Sequence, residues 1–250
     1  MNSNNPFFRT KSFKENNHNS ADTTHDAVII DYNQTMTVSG TINKSFLMLV
    51  LLIASAAITW TMANPIVFAI GGAIVGFILV LIATFRPQSS GFLAPGYAIF
   101  EGLFIGGISA IFEVMYPGIV IQAVSCTFVT FMVCLALYKY GIVKVNDKFR
   151  SVVIAATLAI GTYYLISWLL AMFAGFQPVH YGNSMASIGI SAIVIVVAAL
   201  NLFLDFDQIE KGAQSKLPKY MEWYGAMGLM ITLVWLYIEF LRLLSKLQKK

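Results

Sequence analysis

The sequence predicts an all-α integral membrane protein of seven transmembrane helices, and three observations predict it. Hydrophobic residues make up 58% of the 250 residues and charged residues 11%, whereas a soluble domain carries about 25% charged residues. Mean hydropathy is +0.73, more apolar surface than the interior of a soluble domain of this length can hold. The apolar residues also fall in seven long continuous runs, each near the ~20 residues that cross a bilayer as a helix. A membrane β-barrel is excluded, because its strands are alternating segments of ~10 residues. The net charge of +4 and pI near 9.0 do not indicate nucleic-acid binding, because the basic residues lie between the apolar runs rather than in one patch.

Residues 1–40 are polar and rich in Asn, Ser and Thr. They contain no apolar stretch of the kind a cleaved signal peptide needs, and are expected to be a disordered tail in which His18 and His25 are solvated. Residues 41–250 are expected to form the transmembrane domain. Its helices are predicted at about 44–63, 65–85, 97–115, 118–138, 151–175, 184–204 and 221–245. Asn64-Pro65 and Tyr116-Pro117-Gly118 mark tight turns that pair the first helix with the second and the third with the fourth. Gly72 with Gly76, and Gly102 with Gly106, are GxxxG spacings that allow close helix contact. Trp60, Tyr138, Tyr140, Trp168, Tyr220, Trp223 and Tyr224 lie near helix ends, as an interfacial belt requires. Cys126 and Cys134 are eight residues apart in one helix, a rise of about 12 Å and too far for a disulfide between them.

Orientation follows from Lys and Arg. Twelve of them fall in the N-terminal tail and the second, fourth and sixth loops, and none in the first, third and fifth loops. This places the N-terminus in the cytoplasm. Arg242, Lys246, Lys249 and Lys250 run against the count if the last helix crosses fully. Seven complete spans with the C-terminus outside is the expectation, and a re-entrant last helix the alternative.

A charge at the bilayer centre costs at least ~2.5–3.5 kcal/mol, so ionisable residues at that depth are functional candidates. Arg86, Glu101, Asp205, Asp207 and Glu222 are expected at similar depth on the inner side. Asp207, Glu210 and Glu222 also suit an interface in contact with water, and Arg86 a positive anchor. Glu101 and Asp205 are flanked by apolar residues (IFEGLF and LFLDF) and stand out as interior groups that titrate. Such carboxylates can share a proton, or can hold a hard cation such as Ca²⁺. Asp205 and Glu101 are therefore the candidate metal ligands. Glu239 and Arg242 read as an i,i+3 ion pair, and Glu113 as an exposed side chain. No HExxH, GxSxG, P-loop or dinucleotide fingerprint is present, so neither an enzyme nor a bound cofactor is expected.

Four stretches carry a further signal: MTVSGTINKS (36–45), APGYAIFEGLFIGGIS (94–109), ALNLFLDFDQIEKGA (199–213) and KYMEWYGAMGLMITLVWLYIEFLRLLSKL (219–247). In these the chain resembles the Bax inhibitor-1 family, in its bacterial branch. The resemblance implies a bundle whose last helix is surrounded by the other six. It also implies a bacterial inner-membrane location and a pH-sensitive Ca²⁺ leak gated by two membrane-embedded aspartates, one on the sixth helix and one on the seventh. The sixth-helix aspartate corresponds to Asp205, with Asp207 as the neighbouring choice. The seventh helix has no Asp; Glu222 is its nearest acid in depth, and Glu101 a further possible partner. The expected function is a proton-controlled Ca²⁺ or cation leak in which Asp205, Glu101, Asp207, Glu222 and Arg86 gate the ion. The alternative is a regulatory protein that binds other membrane proteins, such as a quality-control protease, through its tail.

Overall fold

In this computed structural model the described residues are 34–248, except 176, 177, 179 and 181. Most of the expected tail, with His18 and His25, therefore lies outside the described residues. From Met36 onward the chain forms one compact unit. Its helices are α1 (Val38–Trp60), α2 (Pro65–Phe85), α3 (Ser90–Met115), α4 (Ile119–Lys139), α5 (Asp147–Ala174), α6 (Met185–Gln214) and α7 (Met221–Gln248). A single 3₁₀ turn, Pro87–Ser89, joins α2 to α3. All seven helices are long and apolar enough to cross a membrane.

Local chemistry sets their ends. Thr37 caps α1 by accepting a hydrogen bond from the Gly40 amide, which starts this helix six residues before the apolar run does. Pro65 opens α2, where its missing N–H costs nothing. Gly118 caps α4 at φ 84°, the left-handed region that favours glycine, and completes the turn predicted from Tyr116-Pro117-Gly118. Two helices run further than hydropathy alone indicates. Helix α3 starts at Ser90 and carries Pro95 near its beginning. Helix α6 continues ten residues past its apolar run to Gln214, because LDFDQIEKGAQ keeps one face buried through Phe206, Ile209 and Gly212.

Helix α7 is the central helix. It packs along α1, α3, α4 and α6, while α2 and α5 reach it through side chains. Its 28 residues run without a break, about 42 Å at 1.5 Å per residue. That length suits a full crossing rather than a re-entrant hairpin. Large apolar side chains cover the outer faces of the bundle, among them Phe77, Leu158, Trp168 and Phe173, as a surface solvated by lipid requires. Polar contacts add specificity inside. Ser109 of α3 and Tyr237 of α7 share a buried hydrogen bond of 2.6 Å, and Asn201 of α6 donates to Thr157 of α5 at 2.8 Å.

The GxxxG spacings are packing devices. A Cβ on Gly106 would lie 2.7 Å from the Ala56 Cα of α1, and one on Gly107 would lie 2.7 Å from the Ala69 Cβ of α2. Helix α3 is thus held between two backbones by the absence of side chains. Gly106→Val should cost about 3 kcal/mol or prevent folding. Gly161→Ala, where nothing stands within 4 Å, should stay within about 1 kcal/mol of the parent. Thermal unfolding in detergent checks both, and equal effects would refute the close-contact argument.

Candidate functional site

The carboxylates expected to form one acidic layer are distributed around the bundle. Similar depth along a helix axis does not fix the direction in which a side chain points, and the structure gives each acid a different neighbourhood. Asp205 and Asp207 show this most plainly. Two residues along an α-helix turn the side chain by about 200°, so the two aspartates of α6 leave on opposite sides.

Asp207 faces α5. Its Oδ2 accepts from Arg150 at 2.6 Å and from Lys211, one turn along, at 2.8 Å. It is a neutralised anchor between two helices. Glu222 is only 1% exposed and faces α1. It is ion-paired with Lys44 and accepts from the backbone amide and the hydroxyl of Thr37, each at 2.9 Å. The residue that caps α1 is thereby tied to the first turn of α7, and Lys44 also lies 5.3 Å from the Trp223 ring centroid. Glu222 is therefore the clamp between the first and last helices, not a partner of Asp205. Arg86 is exposed and forms no ion pair among the described residues.

Glu101 turns toward α2, where its Oε2 would lie 3.0 Å from a Cβ on Gly76. Gly76 leaves the room that this carboxylate fills. Glu101 makes no hydrogen bond among the described residues, and Tyr97 lies one turn before it on the same helix.

Asp205 faces α2 and α7. Its Oδ2 is shut off from solvent and has no hydrogen-bond partner among the described residues. The Thr232 hydroxyl of α7 stands beside it. It lines a cavity of about 150 Å³ together with Thr84 of α2, Gln208 of α6, and Tyr224, Met227 and Gly228 of α7. Glu101 and Glu222 are not among the lining residues. The shared-proton pair expected for Asp205 is thus absent among the described residues: Glu222 is consumed by Lys44, and Glu101 points into the α2–α3 contact. No group of three His, Cys, Asp or Glu side chains able to hold a metal ion is found among the described residues.

Four features escape the sequence reading: the Glu113 cap, the burial of Lys246, the bridging Tyr164 and the packing of His180. Glu113 is not an exposed side chain; it accepts from the Gly118 and Val120 amides at 2.6 and 3.1 Å and caps the start of the next helix. Lys246 is 4% exposed, donating to the Ser187 carbonyl at 3.1 Å and the Ser191 hydroxyl at 2.7 Å. The expected Glu239–Arg242 pair is present at 2.7 Å, and Tyr164 of α5 bonds both members, donating to Glu239 at 3.2 Å and accepting from Arg242 at 2.9 Å. His180 lies against the rings of Tyr163 and Tyr164. Burial first, then the Arg242 and Lys246 charges, hold its imidazole below the usual histidine range, which keeps it neutral at physiological pH.

Six apolar helices around a seventh, with a carboxylate that no cation pairs with lining a pocket between them, define a multi-pass α-helical membrane protein embedded in lipid. The chain belongs to the Bax inhibitor 1 like family, which it matches over residues 5–249. No curated protein matches it.

The Glu222 clamp makes a test of the structural assignment. Lys44→Met leaves a carboxylate of 1% exposure facing Thr37 alone and should cost about 3–5 kcal/mol. Glu222→Gln should cost markedly less, because the Lys44 side chain retains 17% exposure and can reach water or headgroups. Thermal unfolding of the two variants compares them, and equal losses would count against the clamp.

Proposed function

We propose that the protein is a pH-sensitive cation leak of a bacterial inner membrane, oriented with its N-terminus in the cytoplasm and gated by Asp205. The observation that supports this reading is the buried Asp205 Oδ2, unpaired among the described residues, in the wall of a cavity of about 150 Å³. An ionised carboxylate shut off from water and donors is costly. Two species relieve it, a proton or a cation. When pH is low, the carboxyl group is neutral and the cavity carries no charge to attract an ion. As pH rises, the proton leaves and the carboxylate draws a cation into a space with room for several waters. The gate then depends on a single titrating group rather than on a pair of acids.

The oxygens of Asp205, Gln208, Thr84 and Tyr224 are hard donors suited to a cation that keeps part of its hydration. Ca²⁺ is the ion that membership of this family brings into consideration. Asp207, Glu222 and Arg86 take no part in the conduction step on this reading. Glu101 is a second interior carboxylate whose charge acts on the α2 side of the same bundle. The reading involves no enzymatic step and no bound cofactor.

One observation favours a second role. The backbone amide of Met36, where the unit begins, donates to the Leu217 carbonyl at 2.6 Å just before α7, and Thr37 bonds Glu222. A membrane protein that grips the tail would therefore act on the head of the central helix.

In proteoliposomes containing only this protein, cation flux should rise with pH. Asp205→Asn should abolish the pH dependence, whereas Asp207→Asn should retain it and lower thermal stability as Arg150 and Lys211 lose their partner. A pH profile preserved in Asp205→Asn would overturn the gate, and absence of flux in the parent would favour the tail-binding role. For orientation, a single cysteine at Asn183, with Cys126 and Cys134 replaced by Ala, should be labelled by an impermeant reagent from outside the cell. Labelling only from the cytoplasm would invert the topology.

A further inference from the structure

The segment between α4 and α5 is ordered by its own backbone. Helix α4 ends at Lys139, and the amides of Gly141 and Ile142 turn back to the carbonyls of Tyr138 and Leu137 at 2.9 and 3.0 Å. Gly141, at φ 68°, allows the reversal. Beyond it, Val143 and Val145 turn inward and pack on the apolar cluster that holds Leu202, Phe203 and Phe206 of α6. Asn146 then caps α5 by accepting from the Phe149 amide at 2.8 Å. With Val143 and Val145 committed inward, the alternate positions Ile142 and Lys144 face out.

The fold therefore holds two large apolar side chains away from the protein: Tyr140 is 77% exposed and Ile142 68%. Lys139, Lys144 and Lys148 flank them in the chain, all exposed, and none forms an ion pair among the described residues. Their basic neighbours differ, since Arg150 and Lys211 are both held by Asp207. The acid within the segment is Asp147, which lies in the first turn of α5, where the helix dipole favours a negative charge.

Water suits these lysines but not Ile142, and a protein interior suits Ile142 but not the lysines. The boundary between headgroups and acyl chains accepts both, with apolar side chains in the acyl margin and ammonium groups at the phosphates. Tyr140 also suits that boundary, being apolar along its ring and polar at its tip. Both flanking helices are long and apolar enough to cross the membrane, so the short segment that joins them stands at the bilayer surface. A zwitterionic headgroup brings its own positive charge, whereas three lysines against one acid call for a lipid of net negative charge. Each lysine near such a surface is worth about fivefold in affinity.

We propose that Tyr140 and Ile142, with Lys139, Lys144 and Lys148, form a docking surface for anionic phospholipids of the leaflet at this end of the bundle. The surface is separate from the Asp205 pocket, whose lining contains none of these residues, and serves whether or not the bundle passes ions. Its inner side bears on α6, where Phe149 also meets Phe203 edge to face with ring centroids 6.2 Å apart.

The test uses the full-length protein in liposomes. Ile142→Cys, with Cys126 and Cys134 replaced by Ala, carries an environment-sensitive NBD fluorophore. In phosphatidylcholine vesicles with about 30% phosphatidylglycerol, its emission should shift to the blue and be quenched by acyl-brominated lipids, but not by iodide supplied on both sides. Bromolipid quenching should be weaker in phosphatidylcholine alone, and salt at about 1 M should lower the anionic vesicles to that level. Lys139→Gln, Lys144→Gln and Lys148→Gln together should remove the contrast between the two lipids, with Tm in detergent unchanged within about 2 °C. If the probe at 142 prevents reconstitution, Tyr140→Cys carries it and should give the same contrast. Iodide quenching without bromolipid quenching in both lipids would put the segment in water, overturn the proposal and leave a protein as the occupant. Equal bromolipid quenching in both lipids, unaltered by the three Gln substitutions, would also overturn it, because insertion would then owe nothing to headgroup charge.

Discussion

A charge carried to bilayer depth must find its partner inside the protein, and α7 shows how completely this constraint governs the bundle. Glu222 in its first turn meets Lys44 and the cap of α1. Glu239 meets Arg242 on its own helix and Tyr164 of α5. Lys246 meets a carbonyl and a hydroxyl of α6. Each partner comes from a neighbouring helix or from the next turn, so satisfying the charges of α7 also fixes which helices surround it. Water is absent from the bilayer core as an alternative partner, and this makes the pairings structural rather than decorative. Asp205 stands apart from these acids of α7 because its Oδ2 is buried without a hydrogen-bond partner and no cation pairs with it among the described residues.

The contrast with Asp207 shows that position, not residue type, decides the role. Both are aspartates of one helix, two residues apart. The turn of the helix sends one toward Arg150 and Lys211 and the other toward Gly228 and the cavity. An acid with two cations at hydrogen-bond distance has its charge fixed by them. An acid facing a cavity has a charge that depends on what enters, and this property is what a gate needs.

Helix number, approximate helix limits and the tight turns at Asn64-Pro65 and Tyr116-Pro117-Gly118 were legible in the sequence, because hydropathy and turn chemistry are local. So was the placement of Asp205 and Glu101 against neighbouring helices, since apolar flanks on both sides report depth. Direction around the helix was not legible. It depends on which neighbour each face meets, and Glu222 finds Thr37 across 185 positions of sequence. The early start of α1 has the same origin, because Thr37 is held by Glu222 as it caps the helix. Lys246 reads in sequence as a misplaced topological charge; buried against Ser187 and Ser191, it is an internal fastening instead.

The fastenings of α7 also define where the helix can respond. Its first turn is tied through Glu222 to α1, and its last turns are tied through Glu239, Arg242 and Lys246 to α5 and α6. Between these ends, the stretch that faces Asp205 contains Gly225 and Gly228, and Thr232 follows one turn later. Glycines in a helix interior weaken it by roughly 1 kcal/mol each relative to alanine, and those near the cavity present no side chain to lock against α6. A change of charge on Asp205 therefore acts on the stretch of α7 that lies between its two sets of polar fastenings. Adding or removing one proton alters the local electrostatic energy by several kcal/mol at an effective dielectric near 20, comparable with what separates two conformations of a bistable element. On the proposed gating reading, the buried pairs at both ends confine such a response to the turns between them and keep the bundle assembled.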